Sequence, residues 1–167
     1  FVAFNSTFRW SVYASAGLSL AQLSHWCAFS PVVPSEDLGT DGHPHKGGFL
    51  PDLGLERRMW ASGSLEFLQP LHVNEILTRS ATIEKIDEKG GRMAFVTVSH
   101  EIHGENGLAI RESQNIVYLA MPKKFDPPVK RPMPEKWVFQ NRLAMPSTRL
   151  FRFSSITFNA HRIHYDL

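Results

Sequence analysis

The chain has 167 residues, of which 43% are hydrophobic and 20% charged, with a net charge of +2. These are globular values, which argue against a disordered chain. The 18 basic residues are spread along the sequence rather than gathered into the stripe a nucleic-acid surface needs. No apolar run approaches the roughly 20 residues that cross a bilayer. Cys27 is the sole cysteine, so no internal disulfide can form and secretion has no support; a buried packing role suits it better than a nucleophilic one. The sequence begins with Phe1 and stops at His-Tyr-Asp-Leu without a helix stop or polar tail, and so reads as clipped at both ends.

Residues 1–30 are aromatic and rich in Ser and Ala, and a helix over part of 6–24 is expected, weakened by Gly17 and the serines. Residues 31–54 hold four prolines and five glycines, which is loop chemistry. From Ser64 the texture changes to strands. Leu65, Phe67, Gln69 and Leu71 alternate with polar neighbours; 76–86 is β-branched; Ala94, Val96, Val98 and Ile102 recur at period two; 108–119 follows. The connections at 72–75, 87–91 and 103–107 are short, and Asn106-Gly107 is a turn former. Four strands so joined predict an antiparallel meander, because parallel pairs need longer crossovers. Six of the eleven prolines fall within 121–148, which predicts an extended connector. An ordered-looking segment restarts at Phe151. No repeat is visible in the sequence.

Histidines come in three close pairs, His43/His45, His100/His103 and His161/His164. On a strand, residues three apart point to opposite faces, so His100 and His103 cannot chelate one metal. His43 and His45 read as a surface loop. Neither a phosphate-cradling glycine loop nor a Gly-x-Ser-x-Gly elbow is present. Arg57-Arg58 before Met59-Trp60 reads in two ways. It is either a solvated basic pair before a core aromatic, or a guanidinium beside a flat ring that suits a phosphate or an adenine.

The segment Phe153-Ser-Ser-Ile-Thr-Phe-Asn159-Ala-His161-Arg-Ile-His164-Tyr-Asp166 closely resembles a motif of type 2 hydroxyacyl-thioester dehydratases. It is especially similar to 3-methylfumaryl-CoA and mesaconyl-C4-CoA hydratases, double-hotdog relatives of the MaoC-like hydratases. Leu38-Gly-Thr-Asp-Gly-His-Pro44, Gly47-Gly-Phe-Leu-Pro51, Arg57-Arg-Met-Trp-Ala61, Phe67-Leu-Gln-Pro-Leu71 and Phe95-Val-Thr-Val-Ser-His-Glu-Ile102 match the same family in order. The resemblance covers nearly everything from about His25 onward.

It implies an α+β hotdog, an antiparallel sheet around a helix, with the strands in the linear order of the sequence or a hotdog permutation of it. Residues 1–120 would be the first hotdog, 121–150 a Pro-rich linker, and 151–167 the start of a second, catalytic hotdog. The implied activity is a hydro-lyase that adds or removes water at C2=C3 of a 2-enoyl or 3-hydroxyacyl thioester. His164 takes the family's histidine position and Asn159 that of the wider family's aspartate; an amide orients groups but does not take up protons at neutral pH. The second acid/base is then unassigned between His161 and Asp166, and Arg58 and Trp60 are candidates for substrate binding. No metal or redox cofactor is implied, since coenzyme A or phosphopantetheine enters with the substrate. The expected partners are the acyl thioester and other copies of the chain, with no nucleic acid and no membrane span. The expected compartment is intracellular, mitochondrial or cytoplasmic, within fatty acid metabolism. Ala160 and Asn74 stand where glycine is usual, and asparagine tolerates the positive φ of such a turn. The oxyanion donors are expected beyond Leu167, so this chain alone should be inactive. The alternatives are a non-catalytic acyl-thioester-binding hotdog and an acyl-CoA thioesterase.

Overall fold

The computed structural model describes residues 3–9, 18–124, 132, 136, 138–161 and 164. Five strands form one antiparallel sheet: β1 (Ala3–Arg9), β2 (Arg57–Phe67), β3 (Ile76–Lys89), β4 (Met93–Gly104) and β5 (Gly107–Leu119), in the order β1-β3-β4-β5-β2. This order is the hotdog permutation. β3, β4 and β5 are the expected meander, but β2 is not beside β3; it pairs with β5. The linear order fails because residues 68–75 do not close a hairpin. Leu68 and Gln69 donate their backbone N–H groups to Ala109 O, and Val73 donates to Leu18 O. The link thereby runs past the β4–β5 turn, where a Cβ at Gly104 would strike Leu71 and Glu75. Asn74 within it has φ 73°, the left-handed turn expected at this position.

The helix expected over part of 6–24 is also corrected. Residues 3–9 are a strand along the free edge of β3, and the helix, α1, is one turn at His25–Ala28. An open sheet edge presents unpaired backbone donors and acceptors, and a Ser-rich segment of weak helical propensity gains more by satisfying them. The remainder of that expectation, 10–17, lies outside the described residues.

Alternation on β4 and β5 builds the core. Ala94, Val96, Val98 and Ile102 face inward and are at most 1% exposed, and Tyr118 is fully buried. Two apolar clusters result. Ala28, Leu71, Leu77, Ile102, Ala109 and Ile110 form one; Leu55, Ala81, Ala94, Val96, Val98 and Tyr118 form the other, covered by Phe49, Leu50 and Leu53 of the loop before β2. A polar belt lies between them. Glu112 of β5 accepts bonds from Trp26 Nε1 (3.1 Å) and Gln114 Nε2 (2.7 Å), and its Oε2 is 3.2 Å from His25 Nε2. His100 is directly opposite Glu112 in the register.

Two β-bulges lie at one level of the sheet. Ala61 is the extra residue in β2 and Glu84 the extra residue in β3. Between them runs the row Lys85, Thr97, Asn115, Ser62. Asn115 stitches this row, accepting from Thr97 Oγ1 (2.8 Å) and donating to Ser62 Oγ (3.0 Å). Bulges increase local twist and bend a strand, so two at one level crease the sheet.

Among the described residues no helix or strand lies between Leu119 and Ser147, where α2 begins and runs to Ile156. α2 buries Ser154 and exposes Phe151, Phe153 and Ile156. No described helix is long and apolar enough to cross a membrane.

Candidate active site

The loop before β2 and the segment after α2 meet. The loop is shaped by Asp41. Its Oδ1 accepts the His43 backbone N–H at 3.1 Å, an Asx turn that leaves Gly42 at φ 80°. Arg58, in register with Tyr118 on β5, reaches back from β2 to hold the same carboxylate, through Nε at 2.8 Å and a second nitrogen at 3.4 Å. Its guanidinium also donates to the Pro44 carbonyl. Arg58 is 7% exposed, and its Nε and one terminal nitrogen are engaged by Asp41 and Pro44, so it braces the loop. Burial alone would raise the Asp41 carboxyl; the Arg58 hydrogen bond, the His43 N–H and the nearby positive charge outweigh it and hold Asp41 below the usual carboxylate range.

α2 ends at Ile156, and Phe158 follows with φ 52°. The chain then makes a second Asx turn, in which Asn159 Oδ1 accepts the His161 backbone N–H at 3.3 Å. This fixes the amide orientation, because a backbone N–H can only donate. Asn159 Nδ2 therefore faces His164 Nε2, at 3.2 Å, and donates to it. His164 Nε2 is then an unprotonated acceptor and its ring proton sits on Nδ1.

The two turns pack small residue to small residue. A Cβ on Gly42 would overlap the Ala160 carbonyl oxygen, so glycine is required there both for φ and for room. The His43 and His161 rings lie 5.5 Å apart between centroids, and those of His161 and His164 lie 6.3 Å apart. All three histidines are half-buried. His43 is pushed below the usual histidine range by burial, then by the Arg58 charge, with smaller contributions from His161 and His164; Asp41 opposes them.

The structure thus brings together Asn159, His161 and His164 with Asp41, His43 and Arg58. It separates Trp60, which is 65% exposed on β2 and lies over Gly63. Asp166 lies outside the described residues. His43 is corrected from a surface loop residue to a wall of the site. Its signal in the sequence was the shared pattern of Asx, a small residue and His at 41–43 and 159–161. Among the described residues no group of three His, Cys, Asp or Glu side chains is arranged to hold a metal ion.

The family model for hydroxyacyl-thioester dehydratase type 2 matches residues 23–167, which includes both turns. The chain belongs to this family. It is 40% identical over 156 residues to the mesaconyl-C(4)-CoA hydratase of Chloroflexus aurantiacus, covering 91% of this chain and 56% of that protein. It is 26% identical over 174 residues to the mitochondrial hydroxyacyl-thioester dehydratase type 2 of Schizosaccharomyces pombe, covering 85% of this chain and 56% of that one. The chain therefore spans 56% of the length of each of these curated dehydratase-family relatives. Among solved structures, HtdX of Mycobacterium tuberculosis overlays with a TM-score of 0.49 at 13% identity, over 65% of this chain and 40% of that one.

Proposed function

We propose that the full-length protein is a hydratase or dehydratase acting at C2=C3 of a 2-enoyl or 3-hydroxyacyl thioester. Residues 1–120 form its first hotdog, 121–150 its connector, and 151–167 the beginning of its second. The observation that carries the reading is the Asn159–His164 pair. Hydration needs a base beside a held water, and His164 Nε2 lies against the Asn159 amide, 3.2 Å away. A water that comes between them, once the two side chains part from this contact, donates to His164 Nε2 and accepts from Asn159 Nδ2. An imidazole can give and take a proton, whereas the amide only orients. Membership of the dehydratase family and the names of both relatives support the same chemistry.

The reaction calls for no metal or redox cofactor, and coenzyme A or phosphopantetheine enters as part of the substrate. Exposed Trp60 is a platform for the nucleotide or the thioester arm, while Arg58 acts through Asp41. The apolar residues exposed on α2 suit burial against more of the second hotdog or another copy of the chain. The compartment is mitochondrial or cytoplasmic, the first in keeping with the fission-yeast relative.

The test is a panel of enoyl-CoA thioesters with the full-length protein, following loss of the conjugated-thioester absorbance. Hydration of at least one member is expected. Thioester cleavage without hydration would assign a thioesterase, and binding without turnover would assign a binding module; either result overturns the proposal.

A further inference from the structure

The Asp41–His43 and Asn159–His161 segments are two copies of one device. Each is an Asx side chain, a small residue and a histidine, with the Asx oxygen accepting the N–H of the histidine two residues on. The copies stand back to back through Gly42 and Ala160, with their histidine rings facing. They differ in what surrounds the Asx group. The second copy carries an amide against His164. The first keeps a carboxylate, but Arg58 holds both its oxygens, so Asp41 cannot exchange a proton during turnover without losing that clamp.

Adding water across C2=C3 moves a proton at two places, the attacking oxygen and C2. His164 serves the oxygen in the reading above, on which this inference rests. Asn159 does not titrate, Asp41 is committed to Arg58, and His161 lies between the His43 and His164 rings, the place of a relay between them. We propose that His43, delivered by the loop of the first hotdog and braced by Asp41 and Arg58, is the residue that carries the C2 proton. The groups facing it are Asp41 from its own loop, Arg58 from β2, and His161 and His164 from beyond α2.

In the dehydration direction the step balances as follows. Neutral His43 takes the C2 proton, leaving the C2–H electron pair in an enolate on the thioester oxygen, and collapse of the enolate forms the C2=C3 bond. The C3–O bond breaks with its pair on oxygen, which leaves as water after taking a proton from the imidazolium form of His164. One proton has arrived at His43 and one has left His164; transfer between them, past His161, restores the start. Burial and the Arg58 charge favour the neutral His43 from which this direction begins.

The experiment follows exchange of the C2 hydrogen of 3-hydroxybutyryl-CoA with deuterated solvent by mass spectrometry, alongside dehydration, in the full-length protein. Wild type is expected to do both. His164→Ala should lose dehydration yet keep C2 exchange. His43→Gln should lose both by ~10²–10⁴-fold, the range for removing a general acid or base, with an unchanged circular dichroism spectrum. Should His43→Gln not fold, His43→Asn carries the same expectation. Gly42→Ala, which pushes the loop off Ala160, should reproduce the loss. Retention of C2 exchange and turnover within threefold of wild type in a folded His43 variant overturns this proposal alone. A wild-type protein that neither dehydrates nor exchanges any member of the panel overturns the hydratase reading instead.

Discussion

Two places in this molecule set a carboxylate among imidazoles. In the core, Glu112 lies beside His25 and opposite His100, and His25 and Glu112 are 3% and 7% exposed. In the site, Asp41 lies beside His43, with His161 and His164 beyond, and all three histidines are partly exposed. Both carboxylates are held below their usual range. Glu112 is kept there against the cost of burial by His25, Gln114 and the charge near His100, and Asp41 mainly by Arg58. Neither is poised to move protons. The difference lies in the imidazoles: in the core His25 is buried and both ring nitrogens of His100 are shut off from solvent, whereas the site histidines are all partly exposed and come from two loop turns. Similar groups serve structure in one case and suit chemistry in the other, and access decides which.

The comparison breaks most visibly at His164. His164→Ala in the full-length protein should reduce turnover by ~10²–10⁴-fold in the enoyl-CoA assay. Asn159→Ala should cost less, and Asn159→Asp should keep or raise activity by restoring the wider family's carboxylate. The assignment fails if His164→Ala turns over normally while His161→Ala is dead.

In the core the expected effect is on stability. Glu112→Ala leaves His25, Trp26 and Gln114 without their acceptor and should lower the unfolding free energy by about 1–3 kcal/mol, the usual cost of leaving a buried polar group unsatisfied. A urea midpoint that barely moves would mean the belt holds nothing together.

Acid should separate the groups by pH. His43 and His100 are both held below the ordinary histidine value of 6.5, each chiefly by burial. The unfolded chain therefore binds their protons first, and stability falls as pH drops through about 6.5. The depressed carboxylates Glu112 and Asp41 contribute stability that is present above their ordinary values of 4.5 and 3.8 and is lost as pH falls through their lower folded values. His100→Gln should flatten the upper limb of a stability profile followed by urea titration and leave the lower limb in place. An unchanged upper limb would show that His100 titrates alike in both states.

The smallest effect is expected at Trp60. It is exposed, so Trp60→Ala should change stability by no more than about 0.5 kcal/mol, while KM rises and kcat holds. A kcat effect without a KM effect would remove Trp60 from substrate binding.

Much of the sheet was legible because β4 writes its burial into the sequence: Ala94, Val96, Val98 and Ile102 fall at period two, interrupted only by His100. Asn74 was legible through its tolerance of positive φ. β1 was not, because what makes residues 3–9 a strand is the edge of β3 some seventy residues later, and local propensity carries no trace of a distant edge. The place of β2 was hidden for a related reason, since residues 68–75 look short enough for a hairpin until Ala109 and Leu18 claim their backbone groups. His164 and Asn159 came from the family motif. His43 looked inert because its neighbour is His161, far along the chain, and three matching residues are too few to announce a repeat.

The crease at Ala61 and Glu84 bears on how this sheet can change over evolutionary time. Each bulge resets the inside–outside alternation of its strand, so that Arg58 and Phe67, and likewise Ala81 and Ile86, fall on one face although an odd number of positions separates each pair. Losing Ala61 or Glu84 alone would turn one end of its strand inside out, and a strand that turned at the Arg58 end would swing the brace of Asp41 away from the loop. Insertions and deletions in these two strands should therefore survive only in twos, or in loops, where nothing counts parity.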